Sequence, residues 1–172
     1  MTAGIQPRGD LTEDLRKIAV ERMGPADIYN IAALEARCFT DPWSSDSLRE
    51  ELFNDNAYFY VSFNDTVFSG YAGSFITADE CYLSDVAVSE EFRRSGTATE
   101  LLSTIITNAR AHGCRFVSLE VRQSNAQAIG LYQRMGFTKQ GVRKSFYTDP
   151  CEDGDIMTLF FTDDENDEKD DI

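Results

Sequence analysis

Apolar residues in this chain fall into segments whose spacing switches between a period of two and a period near 3.6. Residues 18–23 read as a first strand, closed by Gly24-Pro25. Over 26–39, Ile28, Ile31, Leu34 and Ala36 or Cys38 recur at helical intervals, and Pro42 stops that helix. Ser44 or Ser45 can cap a second, short helix running to Phe53. Residues 57–63 and 67–76 are rich in aromatic and β-branched side chains and flank Asn64-Asp65, which predicts a hairpin. A strand over 82–88 follows, then a helix over 97–112 with Leu101, Leu102, Ile105, Ile106 and Ala109 on one stripe. Residues 115–122 read as a buried strand and 126–135 as a helix capped by Asn125, with Gly136 in the turn beyond. Strands over 137–147 and 156–161 close the chain. The expectation is an α/β fold, a mixed sheet of about six to seven strands flanked by about four helices, with no internal repeat.

Composition fits this picture. The chain has 172 residues, 42% of them hydrophobic and 27% charged, which suits one globular domain. That domain is expected over 17–161, behind a flexible leader at 1–16 and ahead of an acidic, disordered tail at 162–172. No apolar run approaches the ~20 residues of a membrane span, and Met1-Thr2-Ala3-Gly4-Ile5 lacks a signal-peptide core, so a cytoplasmic location with no membrane partner is expected.

Charge narrows the partners. From Asp163 onward, seven acidic residues against Lys169 give the tail −6, leaving −8 of the chain's −14 to the rest. This excludes a general nucleic-acid binder, which needs a basic face, and suits a basic polypeptide. The tail reads as a solubilising end or as a substrate-recruiting arm. Cys38, Cys81, Cys114 and Cys151 are widely spaced, so reduced thiols in or near the core are expected and no metal site. His112, the one histidine, precedes Gly113 and reads as a helix cap. A monomer or weak dimer is expected.

The segment with most chemical content is Arg93-Arg94-Ser95-Gly96-Thr97-Ala98, between the 82–88 strand and the 97–112 helix. A small-residue turn opening into a helix offers backbone N–H groups and the positive helix end to phosphate. Downstream stand Leu119-Glu120-Val121-Arg122, the stretch from Asn125 to Tyr132, and Met135-Gly136-Phe137. Glu120 lies in an otherwise apolar strand, where a carboxylate is costly without a partner. By itself it is either a buried base or an outward residue of an edge strand. Asn125, Ala128 and Tyr132 share one helix face, and Tyr132 is either a core residue or a proton donor.

In order and spacing, these segments resemble the GCN5-related N-acetyltransferases (GNAT). Asp41-Pro42-Trp43-Ser44, Phe146-Tyr147 and Glu152 to Met157 extend the resemblance to the ribosomal-protein-alanine N-acetyltransferases, over roughly residues 17–161. The resemblance implies the GNAT fold and acetyl-CoA as cosubstrate, with no metal. It assigns the thioester arm to the backbone of Val86, Ala87 and Val88, and the pyrophosphate to Arg93, Arg94, Ser95, Gly96, Thr97 and Ala98. Asn125 would contact the cofactor, Glu120 would act as general base and Tyr132 as general acid. Trp43 and Tyr147 would border the acceptor peptide, while Glu152, Asp153 and Asp155 either face a basic peptide or form a solvated turn. Thr97 and Ala98 depart from the aliphatic residue and glycine usual in the family, which bears on cofactor affinity.

The function so implied is acetylation of a protein N-terminal α-amine, alanine of a small-subunit ribosomal protein foremost. Two other readings stand beside it. One keeps the chemistry but takes a lysine side chain or a small amine; the other is a non-catalytic acyl-CoA-binding regulatory module.

Overall fold

The computed structural model describes residues 17–162, so the expected leader and nearly all of the expected tail lie outside the described residues. Seven strands form one sheet: β1 (Ile18–Arg22), β2 (Ala57–Asn64), β3 (Val67–Thr77), β4 (Glu80–Val88), β5 (Phe116–Arg122), β6 (Thr138–Thr148) and β7 (Cys151–Phe160). Four helices flank it: α1 (Ile28–Cys38), α2 (Ser45–Glu51), α3 (Thr97–Ala111) and α4 (Ala126–Arg134). The strand order is β1-β2-β3-β4-β5-β7-β6, and β4–β5 is the parallel pair in an otherwise antiparallel ladder. This is the mixed α/β sheet that the apolar pattern predicted.

Each sheet face buries its own cluster. Leu101, Leu102, Ile105 and Ala109 of α3 pack on Leu83, Val117, Leu119, Val121 and Met157. Across the sheet, Ile28, Ile31 and Leu34 of α1 and Leu48 of α2 pack on Phe59, Val61, Tyr71 and Ala87. Full burial of such side chains is worth ~1.5–3 kcal/mol each, so these stripes hold the helices to the sheet. The described residues contain no helix long and apolar enough to cross a membrane.

Two features of β4 build the site. The β4–β5 ladder pairs only Glu80 with Phe116, Cys81 with Val117 and Tyr82 with Ser118. Beyond it the two strands have no mutual partner, and a gap opens between them. Ser84 is the extra residue of a β-bulge: Gly73 pairs with Asp85 and Ser74 with Leu83. A bulge reverses the alternation of side chains. Leu83 therefore packs with the α3 cluster and Ala87 with the α1–α2 cluster, although both are odd-numbered. Gly73 makes room for this, because a Cβ there would stand 2.9 Å from the Phe59 ring and from Ser84 Oγ.

Two expectations are corrected. The last strand begins at Cys151 rather than at Ile156, so Glu152, Asp153 and Asp155 lie in β7 and not in a turn. Each of them has a basic neighbour: Arg122 for Glu152, Lys144 for Asp153 and Lys139 for Asp155. Of the thiols expected in or near the core, Cys151 is the exception. Cys81 and Cys114 are buried, Cys38 is half-buried and Cys151 is exposed. His112 does cap α3, and its Nε2 lies 3.0 Å from the Tyr58 hydroxyl.

Candidate active site

The parting of β4 and β5 leaves a cleft of about 460 Å³ between the end of β4, the turn into α3, and α4. Gly96 sits at φ +90° as the N-cap of α3, a conformation that glycine adopts without steric cost. Thr97, Ala98 and Thr99, the first turn of α3, line the cleft beneath it. The unpaired N–H groups of that turn and the positive helix end form an anion site.

The cleft inverts the charge of the chain. Three arginines, Arg93, Arg94 and Arg134, are in its lining, with no Asp or Glu. Such a lining fits the phosphates of a nucleotide-like thioester. Arg93 also turns back along the strand, donating from Nε to the Val88 carbonyl at 3.2 Å. Val86, Ala87 and Val88 form one wall, with Phe39 and Cys38 from the end of α1, and Asn125, Ala128 and Tyr132 of the α4 segment form the other.

All residues predicted to bind cofactor line the cleft except Ser95, whose hydroxyl instead donates to the Phe92 carbonyl and meets Thr97 Oγ1 at 3.0 Å. Asn125 spends its side-chain oxygen on capping α4, accepting the Ala128 N–H at 3.1 Å, which leaves its amide NH2 for a ligand. A cap of this kind is worth ~1 kcal/mol.

Glu120 is in a central strand, not an edge strand, and its side chain is only 6% exposed. Oε1 pairs with Arg143 Nη1 at 3.2 Å, while Oε2 is buried with no hydrogen-bond partner among the described residues. Tyr132 is buried, packs on Phe137 at 5.7 Å between ring centroids, and reaches the cleft. Its phenol is pushed well above the usual tyrosine range by burial first, then by Tyr147 and Asp85. Tyr147 is pushed up to about 12 by burial, against the pull of Arg122, whose guanidinium lies 4.2 Å from its ring centroid. Tyr82, raised by burial and then by Glu120, stands on the same side.

Trp43 is half-buried. Its ring packs edge-on against Phe59 and stacks on Phe75, its N–H donates to Glu35 Oε2 at 3.0 Å, and its indole Nε1 donates to Asp85 Oδ2 at 2.9 Å. Glu35 is fully buried and also accepts the Tyr71 hydroxyl, and burial raises its carboxyl to about 7. Neither Glu35 nor Asp85 was singled out from the sequence. A signal existed for Glu35, which falls on the apolar stripe of α1 with Ile28 and Ile31.

Comparison with known proteins agrees with this geometry. The sequence profile of the Acetyltransferase (GNAT) family matches residues 28–137. The chain belongs to the GNAT acetyltransferase family. It is 37% identical, over 82% of its length and 94% of the relative's, to a Bacillus subtilis protein designated a candidate ribosomal protein bS18-alanine N-acetyltransferase. It is 32% identical, over 73% of its length and 86% of the relative's, to the bS18-alanine N-acetyltransferase of Escherichia coli. The crystal structure of the S18-alanine N-acetyltransferase from Escherichia coli superposes with a TM-score of 0.77 at 27% identity, covering 85% of this chain and 95% of that one. This GNAT chain is thus an N-acetyltransferase, similar in sequence to enzymes named for the acetylation of bS18 alanine. Among its described residues no group of three or more His, Cys, Asp or Glu side chains could hold a metal ion.

Proposed function

We propose that this enzyme moves the acetyl group of acetyl-CoA to the N-terminal α-amine of a protein, with the alanine terminus of ribosomal protein bS18 as the leading acceptor. The acceptor is taken from the relatives, which are named for that reaction. The cation-lined cleft, the Gly96 turn and the start of α3 suit the phosphates of coenzyme A, and Val86 to Val88 offer main-chain groups to its extended arm. A backbone N–H of that strand end would stabilise the charge that develops on the thioester oxygen during attack.

The observation that carries the reading is the unpartnered, buried Oε2 of Glu120. A buried polar atom without a partner is costly, and an acceptor amine or its relaying water would supply the missing bond. An α-amine has an ordinary pKa near 8, so a carboxylate base is adequate to take its proton. Tyr132, held protonated by burial, would return a proton to the departing thiolate. Incubation with acetyl-CoA and a peptide bearing both a free alanine terminus and an internal lysine, followed by mass spectrometry, tests the reading. Acetylation on the α-amine is expected; label confined to lysine would overturn it.

A further inference from the structure

The acidic side chains at the open end of the sheet are paired, with one exception. Glu120 has Arg143, Glu152 has Arg122, Asp153 has Lys144 and Asp155 has Lys139. Asp85 has no cation within ion-pair distance among the described residues; its bond is to the neutral indole of Trp43. The bulge at Ser84 sets its place, turning Asp85 to the α1–α2 face directly ahead of Val86, where the cleft wall begins. The phenols of Tyr71, Tyr82, Tyr132 and Tyr147, from four different elements, all sense its charge. A carboxylate this enclosed, with no counter-charge, is expensive to keep ionised. Burial accordingly raises its carboxyl, with the bond from Trp43 opposing.

We propose that Asp85 is an acceptor-specificity residue: its carboxylate, held in place by the Trp43 indole, receives the ammonium of the incoming amine beside Glu120. The assignment rests on the acetyltransferase reading of the cleft. The acceptor arrives positively charged, and Asp85 supplies the attraction that Glu120, already neutralised by Arg143, does not. Trp43 then acts as a positioning residue, fixed from below by Glu35 through its backbone N–H and from the side by Asp85.

Asp85→Asn separates the two roles, because an asparagine carbonyl still accepts the indole N–H while the charge is gone. Steady-state kinetics with the full chain, acetyl-CoA and an alanine-first peptide should show KM for the peptide raised about tenfold, the effect of losing one charge-assisted bond. KM for acetyl-CoA should stay unchanged. Trp43 is the one tryptophan of the chain, so its emission supplies a second readout in the wild-type protein. The free-amine peptide should shift that emission, and the same peptide with an acetylated N-terminus should not. An Asp85→Asn enzyme with the wild-type peptide KM, or equal emission responses to the two peptides, overturns the proposal. A wild-type enzyme that labels only lysine would sink the α-amine reading alone, since an ε-ammonium carries the same charge to Asp85.

Discussion

Arg143 engages one oxygen of Glu120 at 3.2 Å and leaves the other, buried, without a partner. The guanidinium is 57% exposed and the carboxylate 6% exposed, so the pair straddles the boundary between solvent and the gap in the sheet. A pair so placed contributes at most ~1 kcal/mol to stability. Its main effect is on one oxygen: Arg143 fixes Oε1, while Oε2 stays unpaired on a residue two positions beyond the last β4–β5 pair, Tyr82 with Ser118.

Glu120→Gln keeps the shape and removes the basicity. Turnover is expected to fall by about 10²- to 10⁴-fold, with the dissociation constant of acetyl-CoA nearly unchanged because the cofactor cleft does not include Glu120. Single-turnover acetylation together with calorimetric titration of acetyl-CoA measures both quantities. Wild-type rates in the variant would remove Glu120 from the chemistry.

Tyr132→Phe tests the proton returned to the leaving group. The hydroxyl makes no hydrogen bond among the described residues, whereas the ring packs on Phe137. The variant should therefore keep its Tm within a degree or two and lose on the order of 10² in the chemical step. A large fall in Tm with rates intact would mark Tyr132 as a packing residue instead.

Much of this architecture is legible in the sequence, for local reasons. Ile28, Ile31 and Leu34 announce α1 by their spacing, and the Gly96 turn needs a residue that tolerates positive φ. What escapes is what depends on neighbours distant in the chain. The opening residues of β7 look like a turn because three acids stand among them, yet cations of the flanking strands β5 and β6 neutralise each one. Asp85 escapes for another reason. Strict alternation groups it with Leu83, and only the bulge at Ser84, accommodated by Gly73, sends the two side chains to opposite faces.

Gly96→Ala should cost both stability and cofactor. There is space for a methyl group, since the nearest atom would be Ile18 Cδ1 at 3.8 Å; the penalty comes from φ +90°. Forcing an alanine into that region costs ~1–2 kcal/mol, which in a chain of this size lowers Tm by roughly 2–8 °C. If the chain relaxes by rotating the turn, the N–H groups at the start of α3 move with it, so KM for acetyl-CoA should rise as Tm falls. Thermal melts and cofactor-dependent kinetics on one preparation show whether the two effects travel together.

Glu35 makes stability depend on pH in a window set by its burial. Its carboxyl is raised from 4.5 to about 7 in the folded protein, so between these values the folded state holds a proton that the unfolded chain has lost. Its contribution is fully present below about pH 4.5, declines as pH rises towards 7, and stays flat above. Glu35→Gln cannot ionise and can still accept the Trp43 N–H. Relative to wild type, the variant should therefore gain on the order of 2 kcal/mol between pH 5 and pH 8. Urea denaturation of both proteins at these two pH values gives the comparison directly, and parallel pH profiles would show that Glu35 stays ionised in the fold, with the Tyr71 and Trp43 bonds outweighing desolvation.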